Sequence, residues 1–557
     1  MRAHLTKTLA AVLAACTLTL PSTLPAQPGG VEELQQRGWP QQLDNRQRLP
    51  RGELLNLRNN RGLGSSMYGQ AAPTGPLIHP PYEGPVTAAK VQRGVDDALL
   101  FLRSQQAPDG SIGEGSYARG GATALATLAL LAAGAHPTAD EAVRRALSWL
   151  QALEPDNTYV VAIRANVWEY ALRKVPEADA YREALERDFQ WLLEAKNENG
   201  WRYQKDSRDW DNSVTQYGVL GIWAGMRAGL DPGENFWPAM SKHFLETQNP
   251  DGGWSYTRGG SSANMATAGL ASMFLVFDSF HGKTRYRPGA PRAVREGEAG
   301  RALASLERGM AWLGEHGGDS NNAYYLYGIE RAGVASGRRR FGGVDWFKEG
   351  AEGALTAQAG DGSIPIGYTP VIGTSLSTLF LVYGGAPIAM QKLRFGGEAG
   401  DDQDWNLNPR DLANLSRWLW SAYERPLNWQ ILSVDAPLEE FDAPIVFLSG
   451  SRTIDFTDAQ VKTLRAYVQR GGTLFAEPAG GSKAFRASME TLRKKLLPTS
   501  EGFAQLAADH PVYGVVKHAW RDRPTLQGVS AGGRTVFFLS EGDLSGDWQE
   551  NKVEADA

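Results

Sequence analysis

Two carboxylates two residues apart, Asp209 and Asp211 in the run Asp209-Trp210-Asp211-Asn212-Ser213, are the sharpest chemical feature of this chain. An aspartic acid whose proton is held on by burial or by neighbours can protonate an unsaturated substrate, and two acids can divide acid and base work on a glycosidic bond. Trp201, Tyr203, Trp210, Tyr217 and Trp223 lie close by in sequence, and aromatic faces stabilise cations and stack on sugars. A simpler reading competes: Asp211 or Asn212 stands where a helix begins, and acceptors there satisfy the free amides of the first turn. A second set of candidates lies further on, where Glu477 ends a strand-like stretch and Asp509-His510 precedes Pro511.

The elements that must position these groups are set by a recurring turn. Gln106-Ala-Pro-Asp-Gly-Ser-Ile112, Lys196-Asn-Glu-Asn-Gly-Trp201, Gln248-Asn-Pro-Asp-Gly-Gly-Trp254 and Gln358-Ala-Gly-Asp-Gly-Ser-Ile364 each follow an apolar stretch of helical spacing. Degenerate copies at Leu153-Glu-Pro-Asp156-Asn157 and Gly317-Gly-Asp319 bring the count to six helical hairpins, which predicts a closed ring. The second helix of each hairpin opens after Gly120-Gly-Ala-Thr123, Asn157-Thr158, Asp211-Asn-Ser213, Ser261-Ser-Ala-Asn264, Asp319-Ser-Asn-Asn322 or Thr369-Pro370. Ser, Thr, Asp and Asn in these places read as N-caps, and the Ala- and Gly-rich sequence that follows suits an inner layer of close-packed helices. The N-termini of that layer converge on one mouth, where Trp201, Trp210, Asn212, Gln216 and Trp254 are expected to meet a ligand.

Residues 89–390 resemble the prenyltransferase and squalene-cyclase repeat superfamily, an all-α (α/α)6 toroid with the signature turn Q-x-x-D-G-x-W. Gln248 to Trp254 matches in full; the first and last copies end in Ile112 and Ile364, and the second has Lys196 for Gln. By this resemblance Asp211 takes the place of the acid in the D-x-D-D-T motif of squalene-hopene cyclases. Asn212 replaces the last Asp of that motif, and the chain has length for one toroid where triterpene cyclases use two. A protein-prenyltransferase zinc site and a complement-type thioester both need a cysteine, and the lone cysteine, Cys16, lies in the leader. No metal and no cofactor is expected.

From 404 to 548 strand-like and helix-like stretches alternate: Trp429 to Val434, Pro444 to Ser449, a capping box at Thr457-Asp-Ala-Gln460, Thr473 to Glu477, a helix over 482–497, and Arg534 to Ser540. This predicts a parallel, doubly wound α/β domain of flavodoxin-like or amidotransferase-like form. Asp404-Trp405, Phe456-Thr-Asp458, Arg470-Gly-Gly472, Asp509-His-Pro511 and Gly542-Asp543-Leu544 with Trp548 resemble the domain-of-unknown-function family 4159, which implies a class I glutamine-amidotransferase-like fold. The turn that would carry the nucleophilic cysteine reads Glu477-Pro478, so amidotransferase chemistry is not expected. Glu477, Asp509 and His510 are the ligand candidates of this domain.

Residues 1–26, with Arg2 and Lys7 before the apolar run Thr8–Leu20 and a small-residue exit at Leu24-Pro-Ala26, read as an export signal. Leu13-Ala-Ala-Cys16 resembles a lipobox, which makes Cys16 an alternative lipidation point. Residues 27–88 read as a flexible linker that spans on the order of 40 Å, 391–403 as a second linker and 549–557 as a polar tail. A net charge of −5 with 21% charged residues asks for no nucleic-acid partner, and no stretch is long enough for a membrane span. The expectation is an exported protein of the periplasm or cell surface that binds a small molecule, a glycan or a protein of the envelope without catalysis. The alternative is a terpenoid-cyclase-like or polyprenyl- or glycan-acting enzyme with Asp211 as acid.

Overall fold

Twelve helices fill residues 88–384 of the computed structural model, which describes residues 84–551 apart from 116–117, 155, 283, 290–292, 397–403, 424–425 and 515–523. The expected signal with Cys16, nearly all of the expected 27–88 linker and most of the expected C-terminal tail lie outside the described residues. Six outer helices, α1 (Ala88–Ser104), α3 (Glu141–Ala152), α5 (Asp179–Ala195), α7 (Phe236–Glu246), α9 (Gly297–His316) and α11 (Trp346–Thr356), alternate in the chain with six inner ones. The inner helices are α2 (Gly121–Ala132), α4 (Thr158–Lys174), α6 (Asn212–Arg227), α8 (Ala263–Val276), α10 (Ala323–Ser336) and α12 (Pro370–Gly384). They pack in cyclic order, α2 on α4, α4 on α6 and onward until α12 meets α2. The inner helices are buried almost all round, as α2 with its sequence GATALATLALLA must be.

The recurring turn is a staple between outer helices. Gln248 Nε2 donates to Gly252 O in its own turn (2.8 Å) and to Ser305 O on α9 (2.9 Å). Gln106 repeats this with Gly110 O and Ala142 O on α3, and Gln358 with Gly362 O and Gly94 O on α1. Gly110, Gly252 and Gly362 have φ of +100°, +95° and +88°, a region costly for any residue with a Cβ. The turn with Lys196 is held otherwise, by Asn197 Nδ2 on Ser207 O and Asp209 O. Four of the expected caps bond an amide of the first turn, from Asn157, Asp211, Ser262 and Asn322.

After a small hairpin, β1 (Arg340–Phe341) with β2 (Val344–Asp345), the chain builds a seven-stranded mixed sheet of order β4-β3-β5-β6-β9-β8-β7. Its strands are β3 (Ile388–Arg394), β4 (Asn428–Ser433), β5 (Ile445–Gly450), β6 (Thr473–Pro478), β7 (Ala504–Gln505), β8 (Leu526–Ala531) and β9 (Arg534–Ser540). One face is covered by α14 (Asp458–Gln469) and α15 (Lys483–Leu496), the other by α13 (Asp411–Tyr423), the single turn α16 (Pro511–Gly514) and α17 (Leu544–Gln549). Two expectations need correction. The sheet is not wholly parallel, because β8 and β9 form a hairpin over Gly532 and Gly533, both at positive φ. Ile388–Arg394, expected to divide between the ring and the 391–403 linker, is instead an interior strand between β4 and β5. Its burial rests on partners elsewhere: Lys392 Nζ meets both Asp411 oxygens at 2.8 Å, Asn408 O at 2.8 Å and Asn406 Oδ1 at 3.0 Å.

Helix α13 also stoppers the ring. Trp420 lies against Tyr170 and Tyr383 at the C-terminal ends of α4 and α12, with ring centroids 6.3 and 5.4 Å away. Arg410 Nε bonds Asp278 Oδ1 at 2.6 Å and Arg417 NH2 bonds its Oδ2 at 2.5 Å, locking the two regions together through three charges.

Candidate functional site

The opposite mouth, where the inner helices begin, carries most of the candidates. Asp211 is the N-cap of α6: its Oδ1 accepts from Val214 N at 2.7 Å, and its Oδ2 forms an ion pair with Arg202. It is fully buried, and burial raises its pKa against the opposing pull of the capping amide, Arg202 and Tyr256. Asp209 is exposed and meets the fold through its main-chain carbonyl, which accepts from Asn197 Nδ2 at 2.8 Å. The two acids therefore do not face one substrate: the cap and the Arg202 pair hold the Asp211 carboxylate inside the fold, while Asp209 stays in solvent.

Asn212 is a structural tie rather than a ligand contact. Its Nδ2 donates to Ser255 O and its Oδ1 accepts from His243 Nε2, both at 2.9 Å. Burial holds the His243 pKa down to about 4, so the imidazole is neutral at pH 7. Trp210 packs edge-on against His243, its centroid 4.8 Å away. Trp201 and Trp254, expected at the mouth, are core: both are 0% exposed, and their indole nitrogens donate to Leu192 O and Phe244 O. Each fills the space left by a glycine on an inner helix, since a Cβ on Gly218 would lie 2.4 Å from Trp201 and one on Gly269 2.3 Å from Trp254.

What reaches the surface is a pair of tyrosines, Tyr203 from the expected aromatic group and Tyr256, which sequence reasoning passed over. Tyr203 and Tyr256 each stand two residues after a buried tryptophan, are 39% and 40% exposed, and join by their hydroxyls at 2.6 Å. The Arg202 guanidinium sits 5.0 Å from the Tyr203 ring centroid and 5.7 Å from that of Tyr256. Beneath this shelf a polar belt crosses the ring. The Tyr159 hydroxyl meets Ser213 Oγ at 2.7 Å, Ser213 Oγ meets the Tyr324 hydroxyl at 2.6 Å, and Gln216 joins Tyr324 to Arg331. Helices α4, α6 and α10 are thereby tied together at their N-terminal ends. Burial, above all, pushes the hydroxyls of Tyr159, Tyr256 and Tyr324 well above their ordinary pKa, so each keeps its proton as a hydrogen-bond donor. Deeper on α10, Glu330 is 3% exposed with no partner at Oε2, and burial pushes its pKa up to about 8 against the pull of Arg331.

In the α/β region Glu477 ends β6 at the carboxyl edge of the parallel strands and is fully buried. Ser449 Oγ donates to its Oε2 at 2.8 Å. Asp509 and His510 do not join it. Asp509 is exposed, and His510 Nε2 bonds Thr535 Oγ1 at 2.9 Å near the start of β9. The β6–β9 register sets Leu539 beside Ala476, so Thr535 lies about four residues back, roughly 13–16 Å from the level of Glu477. His510 Nδ1 accepts from Val512 N at 3.1 Å, closing a turn before α16.

Residues 390–556 match the model of a family described as Domain of unknown function (DUF4159), so the α/β region is a DUF4159 domain. No curated protein matches the chain.

Proposed function

We propose that this is an exported, non-catalytic binding protein of the cell envelope, whose twelve helices form an (α/α)6 toroid of the prenyltransferase and squalene-cyclase repeat type with a glycan-binding mouth. The Tyr203–Tyr256 shelf with Arg202 between the rings carries this reading. It offers flat apolar faces, two hydroxyl groups and a guanidinium at the surface, which is the chemistry that holds a sugar ring. Asp211 underpins the shelf through Arg202, and a carboxylate engaged by a cap and an ion pair is poorly placed to hand a proton to an alkene. The amidotransferase-like reading of the DUF4159 domain is likewise one without catalysis: the end of β6 carries Glu477-Pro478 where a nucleophilic thiol would stand.

Thermal shift of the full chain against a panel of oligosaccharides and polyprenyl glycans tests the mouth. A glycan that raises the melting temperature of the parent protein and not of Tyr256→Ala, with the two unliganded proteins melting together, supports it. If every glycan leaves the melting temperature unmoved, a protein-interaction role replaces this one. Export is tested by fractionating cells that express the full chain and weighing the mature protein, with Cys16→Ser separating lipidation from cleavage after Ala26.

A further inference from the structure

The carboxyl edge of the sheet holds a crevice that none of the foregoing uses. Its volume is about 430 Å³, and Arg285, Tyr286, Arg287, Pro288, Gly480 and Asp543 line it. This is the size of a small-molecule pocket, and the carboxyl ends of parallel strands are where such sheets receive ligands. The walls are built. Tyr286 N donates to Asn408 Oδ1 at 2.8 Å, Asn408 Nδ2 donates to Ser545 Oγ at 2.9 Å, and Arg285 NH1 pairs with Asp547 at 2.8 Å. Gly480, at φ +58°, lets Pro288 approach so closely that a Cβ there would lie 2.4 Å from its ring.

The lining decides the ligand. Arg285 is already held by three carboxylates, Asp547 at 2.8 Å and Asp543 and Glu550 at 3.9 Å, so its charge is largely spent before an anion arrives. The Nε of Arg285 is a buried donor with no acceptor at hydrogen-bond distance, and the Asp543 Oδ2 lies 3.9 Å from it. The two side chains are 26% and 21% exposed, so ligand hydroxyls can accept from the outer guanidinium nitrogens and donate to the Asp543 carboxylate. Behind it Glu477 is buried with no hydrogen-bond partner at Oε1, and burial, together with the charge of Asp543, holds its pKa well above the usual carboxylate range. Asp543 spends Oδ1 on the Gly546 amide, at 3.2 Å, and leaves Oδ2 as the acceptor toward the crevice.

We infer that this crevice binds an uncharged polyhydroxylated molecule, a sugar or polyol, with Asp543 and Arg285 sharing its hydroxyls and Tyr286 covering its apolar face. The site does not depend on the mouth of the ring. Hydrogen–deuterium exchange of the full chain with glucose, N-acetylglucosamine and myo-inositol, and with inorganic phosphate as the anionic probe, tests it. A sugar or inositol is expected to slow exchange in segments 284–289, 479–482 and 541–546, in the parent and in Tyr256→Ala alike. Asp543→Asn, which keeps the oxygen that caps Gly546, is expected to weaken that protection by about tenfold or more in ligand concentration. Tyr286→Ala gives a second reading should Asp543→Asn melt early. Protection by phosphate in place of the sugars, equal protection in both variants, or no protection in these segments overturns the proposal.

Discussion

Glu330 gives this fold a measurable dependence on pH. The folded protein keeps the Glu330 proton up to about pH 8, whereas the unfolded chain releases it near the ordinary value of 4.5. Between those values the folded state binds more protons, so stability is fully present below about pH 4.5 and falls as pH rises toward 8, by up to about 1.4 kcal/mol per unit. Over pH 5 to 8 the loss sums to about 3 kcal/mol. Glu330→Gln cannot ionise and lacks this component. His243, neutral in the fold, tilts stability the other way as pH falls below its ordinary 6.5, but it is common to both proteins and cancels in their difference. Urea unfolding of parent and variant at pH 5, 6, 7 and 8, followed by tryptophan fluorescence, reads the difference directly. The variant is expected to gain on the parent by about 3 kcal/mol across the series. Two curves that run parallel would show that Glu330 is ionised in the fold, and the argument from its burial would fail.

Other substitutions test the packing. Gly269→Ala drives a methyl group into the Trp254 indole and is expected to destabilise by about 1–3 kcal/mol, measured by urea midpoint, with the Trp254→Phe background relieving part of it. Lys392→Met leaves Asp411 buried without its cation and is expected to remove about 3–5 kcal/mol, whereas Lys392→Met with Asp411→Leu recovers most of that loss.

The hairpins were legible because the turns make demands that few residues meet. Gly110, Gly252 and Gly362 need positive φ, and the glutamine before each must reach two carbonyls, so Q-x-x-D-G persists and can be counted. Of the exposed aromatics Tyr203 was legible beside the acid pair and Tyr256 was not, although a signal for both was present. In Trp201-Arg-Tyr203 and Trp254-Ser-Tyr256 a tryptophan is spent on the core and the tyrosine two places on meets solvent; the clue is the glycine each tryptophan requires, Gly218 or Gly269, one helix later. Strand β3 was missed because Gln391 and Lys392 interrupt its apolar run, and their partners Glu440, Asp442 and Asp411 come 19 to 51 residues later. The grouping of Glu477 with His510 failed for a topological reason. A parallel β6–β9 pair puts the end of one strand far from the start of the other, and no local pattern reveals which strands are neighbours.

The bond from Gln358 to the carbonyl of Gly94 spans 264 residues of chain. During synthesis, at 5–20 residues per second, α1 leaves the ribosome on the order of 10–50 s before the staple that seats it exists. The earliest helix is thus among the last to find its full set of neighbours, and until then its apolar face, with Val95, Leu99 and Leu102, is a surface that a nascent chain must shield by other means.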